Sequence, residues 1–236
     1  MEGHVPTPDE LANHIVEKLF DGHEPSEHDR ILYPGCGKGP FIAAVHRYCE
    51  QHDVPIPNGT AIELDPEHLE VAREQHHDKQ VEFIERDFLG DISDLGEFKY
   101  IVVNPPYVPI EGLDQDEKQR YKARFDTAVG RFDLYILFLE QSLKLLADGG
   151  RLSFITPEKF EYVGTAEPLR RILTQHHVEE IEHVDEDAFE GLITFPTITT
   201  VTNNTPGSTV VKRRDGTSER VELPTDGESW ASTVRE

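Results

Sequence analysis

The segment Asn104-Pro105-Pro106-Tyr107 follows an apolar run and combines residue types that could act on an amine. Two adjacent prolines fix the backbone and remove two N–H donors, which leaves the Asn104 side-chain oxygen and the Pro105 carbonyl as acceptors. An amine conjugated to a ring is a poor nucleophile, and two acceptors on its N–H bonds favour the geometry in which its lone pair attacks a methyl sulfonium. Tyr107 could stack on the ring. We predict a catalytic loop at 104–107; a proline-stiffened turn is the alternative.

A glycine-rich turn, Gly35-Cys36-Gly37-Lys38-Gly39, lies between the first predicted strand and the next helix. Glycines at this position let the backbone approach a ligand, and the helix N-terminus favours polar or anionic groups. The proline that follows breaks the spacing of a dinucleotide fingerprint, and a phosphate-binding P-loop would need Ser or Thr after the lysine. The segment therefore predicts a cofactor loop of another kind, or a simple tight turn.

Acidic residues follow two more predicted strands. Glu63 ends the second strand, where its carboxylate could accept both ribose hydroxyls of an adenosine moiety. Asp87 and Phe88 follow the third strand and offer an acid for the adenine amine and an aromatic ring for its face. Each acid alone would more often be a helix cap or a solvated loop residue. Because ligands of open α/β sheets bind at the carboxyl ends of strands, the set predicts a site for S-adenosylmethionine.

Alternating apolar patterns predict a mostly parallel α/β sheet with helices on both faces. Predicted strands cover 31–33, 60–63, 81–85, 100–103, 151–155, 178–184 and 197–202, and predicted helices cover 8–20, 41–51, a segment from Pro66, 132–147 and 158–174. Thr7 is predicted to cap the first helix, with Glu10 closing a capping box. We expect one seven-stranded catalytic domain over 1–204 and a tail over 205–236, in which Asp215-Gly216 turns a small hairpin.

The chain carries 46 acidic residues against 23 lysines and arginines, a formal charge of −23. A nucleic-acid-binding protein is ordinarily basic because phosphate neutralisation supplies much of its affinity. Molar salt shortens the Debye length to about 3 Å, so an acidic protein adapted to salt would no longer repel a polyanion at range. An acidic surface without such adaptation is the alternative.

One basic run departs from this balance directly after the catalytic loop. Its members are Lys118, Arg120, Lys122, Arg124 and Arg131. We predict that the run contacts a DNA backbone, chiefly through Lys122 and Arg124. The alternative is a solvated run whose cations pair with neighbouring acids.

The remaining composition predicts a cytoplasmic protein without metal or membrane contact. Two cysteines form no disulfide framework, and the 12 histidines show no zinc spacing. The apolar runs are much shorter than the roughly 20 residues of a membrane span, and the first residues do not resemble a secretory signal.

From about His4 to Asn203 these motifs resemble the gamma-type adenine-amine DNA methyltransferases of restriction–modification systems, the Asn-Pro-Pro-Tyr class. The resemblance implies a class I, Rossmann-like fold, S-adenosylmethionine as cofactor and a flipped adenine in DNA as target. It also implies that Thr7, on a helix preceding the glycine loop, covers the methionine end of the cofactor. The implied cofactor-binding residues are Thr7, Pro34, Gly35, Cys36, Gly37, Gly39, Glu63, Leu64, Asp87 and Phe88. Tyr107 and Phe195 would stack on opposite faces of the base.

The chain departs from that family in three respects. Tyr33 stands where an acid is usual, and Gly35-Cys36 and Pro40 stand where Ala-Cys and Gly are commoner. In addition, 32 residues follow Asn204 where a large target-recognition domain is usual. We expect target recognition to depend on 108–131 and a separate specificity or nuclease subunit, unless the chain is a catalytic remnant.

Other activities use the same loop. Asn-Pro-Pro-Tyr also occurs in methyltransferases that modify protein glutamine amides, and relatives act on RNA bases. The Thr7-Pro8 helix, the Asp133-Leu134-Tyr135 segment and Phe195-Pro196 favour a base as substrate. A non-catalytic partner subunit that retains the fold is a further alternative.

Overall fold

The computed structural model describes residues 6–185 and 195–235. Its strands are β1 (Arg30–Pro34), β2 (Asn58–Glu63), β3 (Val81–Glu85), β4 (Phe98–Val103), β5 (Leu146–Pro157), β6 (His177–His183), β7 (Pro196–Thr202), β8 (Thr209–Lys212) and β9 (Ser218–Val221). Its helices are α1 (Asp9–Phe20), α2 (Pro40–His52), α3 (Pro66–Gln75), α4 (Gln115–Arg124), α5 (Leu134–Lys144), α6 (Glu167–Leu173) and α7 (Ala231–Val234). None of the described helices has the length and apolar character of a membrane span.

All nine strands form one sheet in the order β3-β2-β1-β4-β5-β7-β6-β8-β9. β1 pairs in parallel with β2 on one side and with β4 on the other, so the strand order reverses beside β1. Such a reversal opens a crevice at the carboxyl ends of the strands, where open α/β sheets bind ligands. β7 runs antiparallel between β5 and β6.

Helices cover both faces of the sheet, as predicted. Tyr100 and Val102 of β4 pack in one hydrophobic core with α1 and α2, whereas Ile101 and Val103 pack in the other with α5. This division follows from the two-residue period of a strand, which sends alternate side chains to opposite faces. A strand covered on both faces reads as a continuous apolar run, which is why the sequence before Asn104 has no polar alternation.

A buried arginine fixes α1 to the sheet. Arg151 of β5 is 2% exposed, and its Nε donates to the Leu19 carbonyl at 2.8 Å and its Nη2 to the Lys18 carbonyl at 3.1 Å. These carbonyls belong to the last turn of α1 and have no partner within the helix. The arginine thus caps the last turn of α1 from the sheet.

Three expectations about the elements are wrong. The sheet has nine strands, not seven, because the hairpin predicted around Asp215-Gly216 does form and adds β8 in parallel to β6. The segment 158–174 is two short 3₁₀ turns followed by α6. Pro168 has no N–H to bond a preceding carbonyl and therefore begins a new helix instead of continuing one. The helix predicted over 132–147 ends at Lys144, since Leu146 pairs with β4.

Candidate active site

The glycine loop follows a backbone path that needs its glycines. Gly35, Gly37 and Gly39 have φ values of 57°, 55° and 87°, in the left-handed region that disfavours residues with a Cβ. A Cβ on Gly39 would also lie 2.7 Å from the imidazole ring of His76. The loop therefore turns tightly between β1 and α2, with its backbone turned toward the end of β2.

Glu63 holds this loop in place. Its side chain, at the end of β2, accepts hydrogen bonds from the Gly37 N–H at 2.8 Å and from the N–H groups of Leu64 and Asp65 at 2.9 Å each. A carboxylate offers about four acceptor sites, so three backbone donors leave it room for another donor. Glu63 thus joins two of the predicted strand ends and keeps acceptor capacity beside the loop.

A cleft opens where these strand ends meet. Six predicted site residues line it: Gly35, Glu63, Leu64, Asp87, Phe88 and Pro106. The structure adds Ile62, His68, Arg86, Leu89, Tyr121, Leu134 and Phe138. Leu134 and Phe138 share one face of α5 because they are four residues apart, but the same spacing describes core residues, so the sequence does not distinguish the two roles.

The remaining predicted cofactor residues lie around this cleft without lining it. Pro34 is buried at the end of β1, opposite Ile62 of β2. Burial, and secondarily the charge of Glu63, raises the pKa of the Cys36 thiol to about 12, so the thiol stays neutral. In residues 6–185 and 195–235 there is no group of three side chains that could hold a metal ion.

The catalytic loop is fixed by side-chain hydrogen bonds. Asn104 is 9% exposed, and its Nδ2 donates to Thr7 Oγ1 at 3.0 Å. The Tyr107 hydroxyl lies 2.5 Å from Asn104 Oδ1 and 2.8 Å from the Ile155 carbonyl. Burial raises the pKa of the Tyr107 phenol well above its usual value, so it remains a donor. The Asn104 amide is therefore oriented by Thr7 and Tyr107, and an amide oxygen can accept two hydrogen bonds.

The prediction that Thr7 caps the first helix is wrong. α1 begins at Asp9 with Pro8 as its N-cap, and no side chain caps it. The Thr7 hydroxyl instead accepts from Asn104, 97 residues away along the chain. The capping prediction considered only partners close in sequence. In the structure the Thr7 hydroxyl accepts instead from the buried Asn104 amide at the end of β4.

Phe195 lies beyond the catalytic loop, where β5 and β7 pair. Its carbonyl accepts from the Glu158 N–H at 2.9 Å, and its side chain is 49% exposed. Its φ is 51°, a left-handed conformation that costs a residue with a Cβ about 1–2 kcal/mol. Thr194, which precedes it in the sequence, lies outside the described residues.

The predicted basic run forms α4 and the loop after it. Asp114 and Glu117 make a capping box at the start of the helix, and Tyr121 is its buried residue, which also lines the cleft. Lys122 and Arg124 are exposed. Arg124 lies 4.0 Å from Asp91, but exposed pairs of this kind are weak, so the guanidinium can exchange partners.

The fold defines the class of protein. The structure superimposes with a TM-score of 0.75 on a Listeria monocytogenes protein described as a class I S-adenosylmethionine-dependent methyltransferase, at 17% identity over 91% of this chain and 67% of that one. The type IIG restriction endonuclease BpuSI gives a TM-score of 0.69 at 22% identity, over 89% of this chain and 27% of that one. The fold is that of class I S-adenosylmethionine-dependent methyltransferases.

The sequence defines the family. Residues 45–189 match the Eco57I restriction-modification methylase family, and the chain belongs to that family. It is 28% identical over 242 residues to the type II methyltransferase M.PaeR7I of Pseudomonas aeruginosa, covering 90% of this chain and 42% of that protein. It is 30% identical over 193 residues to M.TthHB8I of Thermus thermophilus, covering 78% and 41%. The chain thus spans less than half the length of these curated relatives.

Proposed function

We propose that this chain transfers a methyl group from S-adenosylmethionine to the exocyclic amine of an adenine extruded from DNA. The observation that carries the proposal is the Asn104 amide, held between Thr7 and Tyr107 at the end of β4. It stands next to a cleft that carries acids at two further strand ends. The relatives, named as type II methyltransferases, support the same reaction.

The cleft suits the adenosine part of the cofactor. Its lining combines two carboxylates, Glu63 and Asp87, with the apolar side chains of Leu64 and Phe88, as a ribose and a planar base require. Glu63 would accept from the ribose hydroxyls and Asp87 from the adenine amine. Thr7 lines a second cavity that shares His68 with the first, and this second cavity suits the methionine end. When bound, the cofactor supplies an electrophilic methyl sulfonium.

The protein's own groups activate and position the amine. The Asn104 oxygen and the Pro105 carbonyl would each accept one N–H of the adenine amine, which favours the pyramidal geometry of attack. The Tyr107 hydroxyl is held by Asn104 and Ile155, so its ring has little freedom and would support one face of the base. Phe195 would support the other face.

The direct test is methyl transfer from radiolabelled S-adenosylmethionine to duplex DNA in high salt, followed by nucleoside analysis. We expect the label in methylated deoxyadenosine. Label in RNA, in protein glutamine or in another nucleoside, or cofactor binding without turnover, would contradict the proposal and select one of its alternatives.

Thr7 should act through Asn104. Thr7→Val removes the acceptor of the amide at nearly constant shape, and we expect kcat to fall about tenfold, which corresponds to about 1.4 kcal/mol, the upper range of one hydrogen bond. Thr7→Ser keeps the hydroxyl and should restore most of the rate. Single-turnover methylation measures the effect, and equal rates for the valine and serine variants would exclude the positioning role.

The basic run of α4 should contact the DNA backbone. Changing Lys122 and Arg124 to Gln should weaken binding to all DNA sequences alike and flatten the plot of log K against log salt by about 0.9 per lost contact. Arg73 and Arg171, which are exposed helical arginines paired with acids, provide a control double variant of equal charge. An equal change of slope in both double variants would return α4 to the solvated alternative.

We further propose that residues 1–204 carry the catalytic activity and that a separate specificity or nuclease subunit contributes to target recognition. One structural relative is the methyltransferase subunit of a type I restriction-modification system from Streptococcus thermophilus, which by that name works with other chains.

A further inference from the structure

Five side chains connect the tail to the end of β5, and we name them the arginine ladder: Tyr162, Arg235, Glu158, Arg214 and Phe195. The Arg214 guanidinium lies 5.3 Å from the Phe195 ring centroid, and its Nη2 lies 2.8 Å from Glu158 Oε2. The Arg235 guanidinium lies 4.2 Å from the Tyr162 ring centroid, and its Nη2 lies 2.5 Å from Glu158 Oε1. One carboxylate thus joins two arginines, and each arginine contacts an aromatic ring.

The acidic side chain of the ladder is more buried than its two arginines. The Glu158 side chain is 11% exposed, whereas those of Arg214 and Arg235 are 32% and 35% exposed. A second acid behind them, Glu161, is fully buried and lies 3.7 Å from Arg235 and 2.8 Å from His183. On a chain of charge −23, this arrangement leaves two arginine side chains partly exposed while the carboxylates that bind them are buried.

Two hydrogen bonds orient the Arg214 guanidinium. Nε of Arg214 donates to the Val184 carbonyl at 3.0 Å, at the end of β6, and its Nη2 is bound by Glu158. Within the described residues these contacts use two of its nitrogens, although a guanidinium has five N–H donors. An arginine ordered in advance loses less conformational entropy when it binds a partner.

The ladder begins close to the catalytic loop. The Ile155 carbonyl, which accepts a hydrogen bond from Tyr107, lies three residues before Glu158. Three residues of extended chain cover about 10 Å. Phe195, at the near end of the ladder, is fixed to Glu158 through its carbonyl. Tyr162 and Arg235 form the other end of the ladder.

We propose that the arginine ladder binds the DNA strand that carries the target base, an inference that rests on the proposed function. Guanidinium groups suit phosphates, which they bind bidentately, and exposed aromatic rings stack on bases regardless of sequence. Phe195 would contact the extruded base, Arg214 and Arg235 the phosphates beside it, and Tyr162 a neighbouring base. The tail therefore contributes two DNA-binding residues to the active-site face.

Substitutions at Tyr162 and Arg235, which are not part of the catalytic loop, test this proposal. Binding of fluorescein-labelled duplex DNA is followed by anisotropy over a salt series. We expect Arg235→Gln to raise the Kd about fivefold and lower the salt slope by about 0.9. We expect Tyr162→Ala to raise the Kd about tenfold. Arg220→Gln is the control, since Arg220 lies in the same tail on β9 and contacts Ser208 outside the ladder; it should change neither quantity.

Stability and activity measurements separate the possible failures. Arg235 is paired with buried carboxylates, so Arg235→Gln can lower the melting temperature. In that case the DNA affinity of Tyr162→Ala tests the proposal, because the Tyr162 ring is exposed and its removal should leave the fold intact. If both ladder variants bind DNA as wild type does, or no more weakly than Arg220→Gln, the ladder proposal is overturned. Methylation of DNA by the wild-type protein tests the proposed function independently, and preferential binding of RNA by the ladder would overturn the assignment of DNA as its partner.

Discussion

Asn104→Ala is expected to lower kcat for methyl transfer by more than about a hundredfold while cofactor affinity stays near that of wild type. The side-chain oxygen is one of only two acceptors that the loop offers to the target amine. Removal of one preorganised group that stabilises developing charge in a transition state typically costs about 10²–10³ in rate. Single-turnover kinetics with saturating cofactor measures the chemical step itself.

Loss of the fold should not explain this result. Asn104→Ala removes hydrogen bonds with Thr7 and Tyr107, which should cost about 1 kcal/mol each in unfolding free energy. Asn203→Ala serves as the matched control, because Asn203 donates to the Leu146 and Ala147 carbonyls at 3.0 and 3.1 Å, at the end of β5 opposite to the loop. It should leave kcat unchanged. An Asn104→Ala variant that keeps a tenth of the wild-type rate would refute the catalytic role.

The class of fold could be predicted because parallel strands covered on both faces leave a distinct apolar signature. The apolar run of β4 stops at Val103, so the sequence predicts where the strand ends and places Asn104 directly after it. The strands β8 and β9 have four residues each and lie at the edge of the sheet, where a partly exposed strand lacks that signature. Their local hairpin was predictable from its turn, but the parallel pairing with β6 depends on contacts distant in sequence.

The site was partly predictable for the same reason. Gly35, Glu63 and Asp87 each follow a strand, and strand ends of a parallel sheet meet at one edge. The hydrogen bond of Thr7 with Asn104 was not predictable, because no local pattern at Thr7 indicates a partner 97 residues away. The ladder was also missed, since Arg214 and Arg235 lie in a tail whose sequence resembles an exposed segment.

Glu63→Ala is expected to weaken S-adenosylmethionine binding by roughly 1.5–3 kcal/mol, about one to two powers of ten. Two physical effects contribute. The variant loses an acceptor for the ribose hydroxyls, and it also releases the Gly37 N–H, which Glu63 now binds at 2.8 Å. Calorimetry measures the affinity, and thermal unfolding measures the cost of releasing the loop. Unchanged affinity would refute the ribose-acceptor role.

A comparison of two ligands separates these effects. If Glu63 accepts from the ribose, an analogue of the cofactor without the ribose hydroxyls should bind wild type and Glu63→Ala with nearly equal affinity, as in a double-mutant cycle. If Glu63 acts through the loop alone, the variant should lose affinity for both ligands by the same factor. Glu85→Ala is the matched control: Glu85 is exposed and lies opposite Glu63 at the end of β3. It removes the same charge from the same edge of the sheet, and it should leave both affinities unchanged.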